Sequence, residues 1–136
     1  AGEMSGHLFF SHRYYGFDDA IHGGARLLEI ISRTSLSLHE LMSRFPKRIS
    51  TPEIHLRCTD QNKFFVVEKV KNHFSQMKLA EIDGVRLSFP HGFALVRASN
   101  TQPLLVVRFE ALSTELIEEY RAQVLPVVER YLKEFS

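Results

Sequence analysis

The stretch "LAEIDGVRLSFPHGFALVRASNTQPLLVVRFEA", residues 79–111, reads as a series of short strands joined by tight connections. Val85, Leu87 and Phe89 alternate with polar residues, as on a half-buried strand. Asp83-Gly84 ahead of them is the signal for a two-residue hairpin turn. "PHG" (90–92) turns the chain into "FALVRA" (93–98), and "SNTQP" (99–103) separates that strand from "LLVVRFEA" (104–111). Strands joined this closely pair antiparallel, because a parallel crossover needs a much longer connection.

On the N-terminal side, "EIHLRC" (53–58) alternates Ile54, Leu56 and Cys58 in the same way. "QNKFFVVEKVKNHFSQM" (61–77) instead spaces Val66, Val70, Phe74 and Met77 three to four apart, which predicts a helix. On the C-terminal side a long helix is expected from Ser113 to about Phe135. Leu116, Tyr120, Val124, Val127 and Tyr131 form its apolar stripe. Pro126 lies inside and removes a backbone donor, so a kink or break is expected there. Strand, helix, antiparallel strands and helix together predict an α+β fold, a mainly antiparallel sheet with helices on one face.

The first part of the chain has a different character. "DDAIHGGARLLEIISR" (18–33) predicts a helix that opens on Asp18 and Asp19, with Ile21, Leu28 and Ile31 near one stripe. Gly23-Gly24 weakens it by about 1 kcal/mol per glycine. "SLHELMSRF" (37–45) predicts a second helix, with Ser37 and Glu40 at capping-box spacing. "FPKRISTPEI" (45–54) carries Pro46 and Pro52 and does not continue a helix. The expected division is therefore residues 1–45, a linker at 46–52, and a second unit at 53–136. One strand and two helices are too little for a complete domain, and no initiator Met opens the chain, so a longer parent protein is expected.

Composition excludes several classes. With 11 Phe, 4 Tyr and 44% hydrophobic residues the 136-residue chain can build a core. A net charge of +1 supplies no electrostatic case for nucleic acid or an anionic membrane surface. Apolar runs such as "PLLVV" (103–107) fall far short of the ~20 residues of a membrane span. A single cysteine, Cys58, leaves no internal disulfide and fits a reducing compartment. It falls on a strand's apolar face, a core position rather than a nucleophile's.

Two polar clusters stand out. In "GEMSGH" (2–7), Glu3, Ser5 and His7 alternate, so an extended segment would present all three on one face. A carboxylate, a hydroxyl and an imidazole suit sugar recognition and proton transfer, and equally suit an ordinary polar loop. In "RASNTQP" (97–103), Arg97 brings a guanidinium, with Ser99, Asn100, Thr101 and turn amides as short donors. Phosphate is recognised by that mixture, although Ser, Asn and Thr are also common turn residues. Arg108 shares a strand face with Val106 and Glu110, from which it can reach the loop, pair with Glu110 or face solvent. His12, His22, His39, His55, His73 and His91 show no paired ligand spacing, so no metal site is expected. There is no dinucleotide fingerprint, Walker loop or nucleophile elbow.

Taken together, "GEMSGH", "GFDDAIHGGARLLEI" (16–30) and "RASNTQPLLVVRFEA" (97–111) resemble the α-D-phosphohexomutases over essentially the whole chain. Among these the bacterial phosphomannomutase/phosphoglucomutases are most alike. The resemblance implies the end of a third α/β domain followed by a fourth domain with a TATA-binding-protein-like sheet, a label of shape only. It implies interconversion of hexose 1-phosphate and hexose 6-phosphate, of mannose or glucose, through a bisphosphorylated hexose. Glu3, Ser5 and His7 would contact sugar hydroxyls, with His7 a candidate general acid or base. Arg97, Ser99, Asn100 and Thr101 would hold the phosphate that is not reacting, and the linker would act as the hinge of a closing lid. The phosphorylated serine and the three-aspartate Mg2+ site belong to earlier domains, and Asp18-Asp19 is not that site. The chain alone is thus expected to be inactive, with hexose phosphates and the N-terminal domains of the same protein as partners, no nucleic acid, no membrane, and a cytoplasmic location. The competing reading is a non-catalytic phosphosugar- or anion-binding module.

Overall fold

A computed structural model describes residues 1–3 and 6–135, and the chain divides into two units, Ala1–Pro46 and Lys47–Ser136. In the first unit, short bridges pair Gly2 with Leu8 and Phe9 with Asp18, and two helices follow, α1 (Ala20–Ser32) and α2 (Leu38–Met42). Asp19 is the N-cap of α1: its extended backbone lets the side chain accept the His22 N–H at 2.9 Å. Gly23 is the buried residue of α1, and a Cβ there would come within 3.0 Å of Leu8 Cδ1. The glycine that weakens the helix thus allows it to lie against the Leu8 segment. The expected apolar stripe does not mark what is covered within this unit. Ile21 is 86% exposed and Leu28 68%, while Ile31 is half-buried. Periodicity reveals an apolar face; it does not supply the layer that covers it. The capping box of α2 is formed, Glu40 N–H donating to Ser37 Oγ at 3.3 Å and Ser37 N–H to Glu40 Oε2 at 2.7 Å.

The second unit is a six-stranded antiparallel sheet with β1 (Ile49–Ser50), β2 (Ile54–Arg57), β3 (Leu79–Ala80), β4 (Val85–Phe89), β5 (Gly92–Ala98) and β6 (Leu104–Ala111). Two helices, α3 (Lys63–His73) and α4 (Thr114–Glu134), cover it. The order is β1-β6-β5-β4-β3, with β2 also pairing β6. Alternation puts Leu87, Ala94, Val96, Leu105, Val107 and Phe109 against Val66 and Val70 of α3 and Ile117, Tyr120, Val124 and Val128 of α4. Each fully buried large apolar side chain of this kind contributes about 1.5–3 kcal/mol. Phe89 closes one end by stacking on Tyr120, centroids 4.0 Å apart.

Three details differ from the sequence reading. The connection from β3 to β4 is not a two-residue turn: Ala80 pairs with Arg86, leaving residues 81–85 between the paired positions. Gly84 still supplies the positive φ, +80°. Helix α4 runs unbroken through Pro126, and the donor that proline lacks is the one that would meet the carbonyl of Ala122; both residues are exposed. Residues 48–51 are fastened to β6 and to the β4–β5 turn. Ser50 pairs with Glu110, Thr51 N–H donates to Phe109 O at 3.0 Å, and Arg48 Nη1–H donates to His91 O at 3.1 Å.

Candidate functional site

Arg97 is the penultimate residue of β5, and its neighbours Val96 and Ala98 are both in the core. Pleating therefore sends its side chain to the face away from the helices. There Nη1 lies 3.4 Å from Asp83 Oδ2, and Nη2 lies 3.9 Å from Glu53 Oε1. Asp83 can come this close because Gly84 lies on β5 itself: a Cβ at 84 would stand 2.3 Å from Val96 O and 2.7 Å from Arg97 Cα. The guanidinium is thus held by two half-open ion pairs, which are individually weak.

Residues 99–103 form that connection. Ser99 is buried; its N–H donates to Leu104 O at 2.9 Å, and its Oγ accepts from Thr101 N–H at 3.4 Å and Gln102 N–H at 3.2 Å. The hydroxyl oxygen therefore braces the turn in addition to carrying a proton it can donate. Asn100 and Thr101 are exposed. Ser99, Asn100 and Thr101 lie on this turn, whereas Arg97 stands two residues before it in β5 with its guanidinium turned to Asp83 and Glu53.

Sequence reading missed Lys63. Its side chain is 6% exposed at the start of α3, and Nζ donates to Ser99 O at 2.7 Å, Asp60 Oδ1 at 2.7 Å and Gln102 O at 3.4 Å. A three-donor ammonium meets three acceptors, the condition for burying a charge at tolerable cost. The Asp60–Lys63 spacing is visible in the sequence, but the partners 36 and 39 residues away are not.

At the N-terminal cluster, Glu3 N–H donates to His7 O at 2.9 Å and Gly6 N–H to Glu3 O at 3.0 Å, with Gly6 at φ +91°. Glu3 and His7 thus meet through a backbone hydrogen bond, unlike two residues on one face of a single extended run. Glu3 and His7 are exposed, and Ser5 lies outside the described residues. His7 Nδ1 is 2.5 Å from Asp18 Oδ2, while Asp18 Oδ1 accepts Leu8 N–H at 3.0 Å. Asp18 thus serves His7, not the helix start, which Asp19 caps. The carboxylate beside it raises the His7 pKa above its ordinary value, and the imidazole with the Leu8 amide lowers that of Asp18. With Nδ1 engaged, Nε2 is the ring nitrogen left for a ligand. Behind this turn, Tyr14 stacks on His22 with centroids 3.7 Å apart and donates its hydroxyl to Asp19.

The remaining candidates fall elsewhere. Glu110 pairs with Arg48 Nε at 3.6 Å, whereas Arg108 keeps an enclosed Nε with no hydrogen-bond partner among the described residues. Burial pushes the Cys58 thiol pKa up, away from nucleophile chemistry. Among the described residues no three His, Cys, Asp or Glu side chains are grouped to hold a metal ion. No described helix is long and apolar enough to cross a membrane.

Residues 53–127 match the family described as phosphoglucomutase/phosphomannomutase, C-terminal domain, and residues 1–49 match its alpha/beta/alpha domain III. The chain belongs to the phosphoglucomutase/phosphomannomutase family. Among curated proteins it is 52% identical over 113 residues to a phosphomannomutase/phosphoglucomutase of Pseudomonas syringae pv. tomato, covering 82% of this chain and 24% of that one. It is 47% identical over 133 residues to the Pseudomonas putida phosphomannomutase/phosphoglucomutase, covering 93% and 29%. It is 44% identical over 133 residues to a Neisseria meningitidis serogroup A phosphoglucomutase, covering 95% and 29%. The crystal structure of a phosphoglucomutase/phosphomannomutase family protein from Burkholderia thailandensis matches with a TM-score of 0.71 at 40% identity, covering 98% of this chain and 27% of that one. The chain thus spans about a quarter of the length of the relatives it matches. The α+β architecture is that of the phosphoglucomutase/phosphomannomutase C-terminal domain.

Proposed function

We propose that this chain is the C-terminal part of a mutase that interconverts hexose 1-phosphate and hexose 6-phosphate, and that it supplies ligand contacts rather than the phosphoryl-transferring group. The feature that supports this reading is the β5–β6 turn of Ser99, Asn100 and Thr101, which Arg97 precedes by two residues at the end of β5. Together these residues offer a guanidinium with exposed amide and hydroxyl donors, the set that recognises a phosphate. The turn would hold the distal phosphate while the other end of the hexose reacts. Phosphoryl transfer depends chiefly on positioning, so this grip contributes directly to rate.

Glu3, Ser5 and His7 would recognise the sugar hydroxyls. His7, oriented by Asp18, is the candidate to take the proton from the attacking hydroxyl and return it to the leaving oxygen in the reverse direction. Mg2+ and the phosphorylated serine would come from other parts of the longer protein, so this chain alone is expected to be inactive. The bisphosphorylated hexose would be the intermediate and activator, and the cytoplasm the compartment. Residues 48–51 are tied to β6, which favours Pro46–Lys47 as the turning point of a closing lid.

The test is a backbone NMR titration of the chain with glucose 1-phosphate at constant ionic strength. Saturable shifts centred on residues 97–101, competed by inorganic phosphate and lost in Arg97→Ala, are expected. Saturation that survives Arg97→Ala would defeat the assignment.

A further inference from the structure

Lys63 is the charged residue buried among the described residues, and it lies under the very loop whose upper side faces solvent. Its ammonium draws the Ser99 and Gln102 carbonyls inward. No peptide bond is cis, so the N–H of Asn100 points opposite to the carbonyl of Ser99 across a planar peptide. Pulling that carbonyl down therefore turns the Asn100 amide up, to the side where Asn100 and Thr101 are exposed. The next two amides, Thr101 and Gln102, are turned onto Ser99 Oγ. The donor orientation of the loop is thus set from beneath by one cation, and that cation's charge is poorly screened because water is excluded from it.

We propose that Lys63 is a positioning residue for anion binding. It fixes the Asn100 amide towards the phosphate and adds a positive field through the loop without touching the ligand. This rests on the reading of residues 97–101 as the phosphate site. Asp60 is the built-in opponent of that field: its carboxylate accepts from the same ammonium at 2.7 Å while its side chain is 71% exposed.

The two residues make opposite predictions, which separates an electrostatic role from a structural one. In the 136-residue chain titrated with glucose 1-phosphate, Lys63→Met should bind about tenfold more weakly. The downfield shift of the Asn100 amide proton seen on saturating the wild type should also be lost. Lys63→Arg should retain most of the affinity, and Asp60→Asn should bind more tightly than wild type. A residue that only held the fold together would not make Asp60→Asn tighter. If Lys63→Met fails to fold, Lys63→Arg and Asp60→Asn carry the test. Wild-type affinity and an intact Asn100 shift in folded Lys63→Met overturn the proposal while leaving the phosphate loop standing, as does unchanged or weaker binding in Asp60→Asn. Absence of saturable shifts in the wild type overturns the phosphate-loop reading, and the proposal with it.

Discussion

Arg97 Nη1 lies 3.4 Å from Asp83 Oδ2, and the approach exists because the residue after Asp83 is a glycine pressed onto Arg97's own backbone. The guanidinium proposed to meet the phosphate is already shared with carboxylates from two other segments, Asp83 and Glu53. A phosphate entering this loop has to compete with them.

Asp83→Asn should therefore strengthen phosphate binding. Removing a half-exposed competing charge is worth roughly two- to fivefold in affinity. Isothermal titration with glucose 1-phosphate measures it, and weaker binding in the variant would mean that Asp83 supports the guanidinium instead of competing for it.

Gly84→Ala should be among the most damaging substitutions of a small residue. The new Cβ would meet Val96 O at 2.3 Å, with φ at +80°. Positive φ and overpacking each cost about 1–3 kcal/mol. Urea denaturation followed by circular dichroism should show a loss of at least about 2 kcal/mol. A loss well under 1 kcal/mol would contradict the close packing of this loop on β5.

His7 and Asp18 make a pH-dependent pair. The His7 pKa is raised, so its contribution is full below its ordinary value of 6.5 and is lost as pH rises through the folded-state value. The Asp18 pKa is lowered, so its contribution is full above 3.8 and is lost as pH falls through its folded-state value. The pair is strongest between those two ordinary values. Titration of the His7 Cε1–H resonance should give a midpoint above 6.5 that falls back in Asp18→Asn. An identical midpoint in the two proteins would disprove the coupling.

Core and surface should separate cleanly in the second unit. Phe109 is fully buried between sheet and helices, and Phe109→Ala should cost about 3–5 kcal/mol. Ile82 is 97% exposed, and Ile82→Ala should stay within about 0.5 kcal/mol. Chemical denaturation of both variants checks the contrast.

The strands from Ile54 to Ala111 and the helices that cover them were legible because two periods, 2 and 3.6, sort side chains locally. Val85 and Leu87, Ala94 and Val96, and Val66 and Val70 fall where alternation or helical spacing puts them. Caps were equally readable, since Ser37 with Glu40 acts over a single turn. The proposed phosphate-loop residues Arg97, Ser99, Asn100 and Thr101 could be nominated for a similar reason, lying within five successive positions.

Long-range pairings were another matter. No local pattern joins Lys63 to Ser99 and Gln102, sends Asp18 to His7 while Asp19 caps the helix, or fastens residues 49–51 along β6. An unpaired charge, carboxylate or strand edge has many possible partners at the level of sequence. Only packing selects one, because the cost of burying a polar group falls on whichever group ends up enclosed. The sequence by itself thus determined the architecture and the chemical content of the two loops. The tertiary structure decided how those groups are held: a glycine brings a carboxylate onto Arg97, and a buried ammonium beneath Ser99 orients the amide above it.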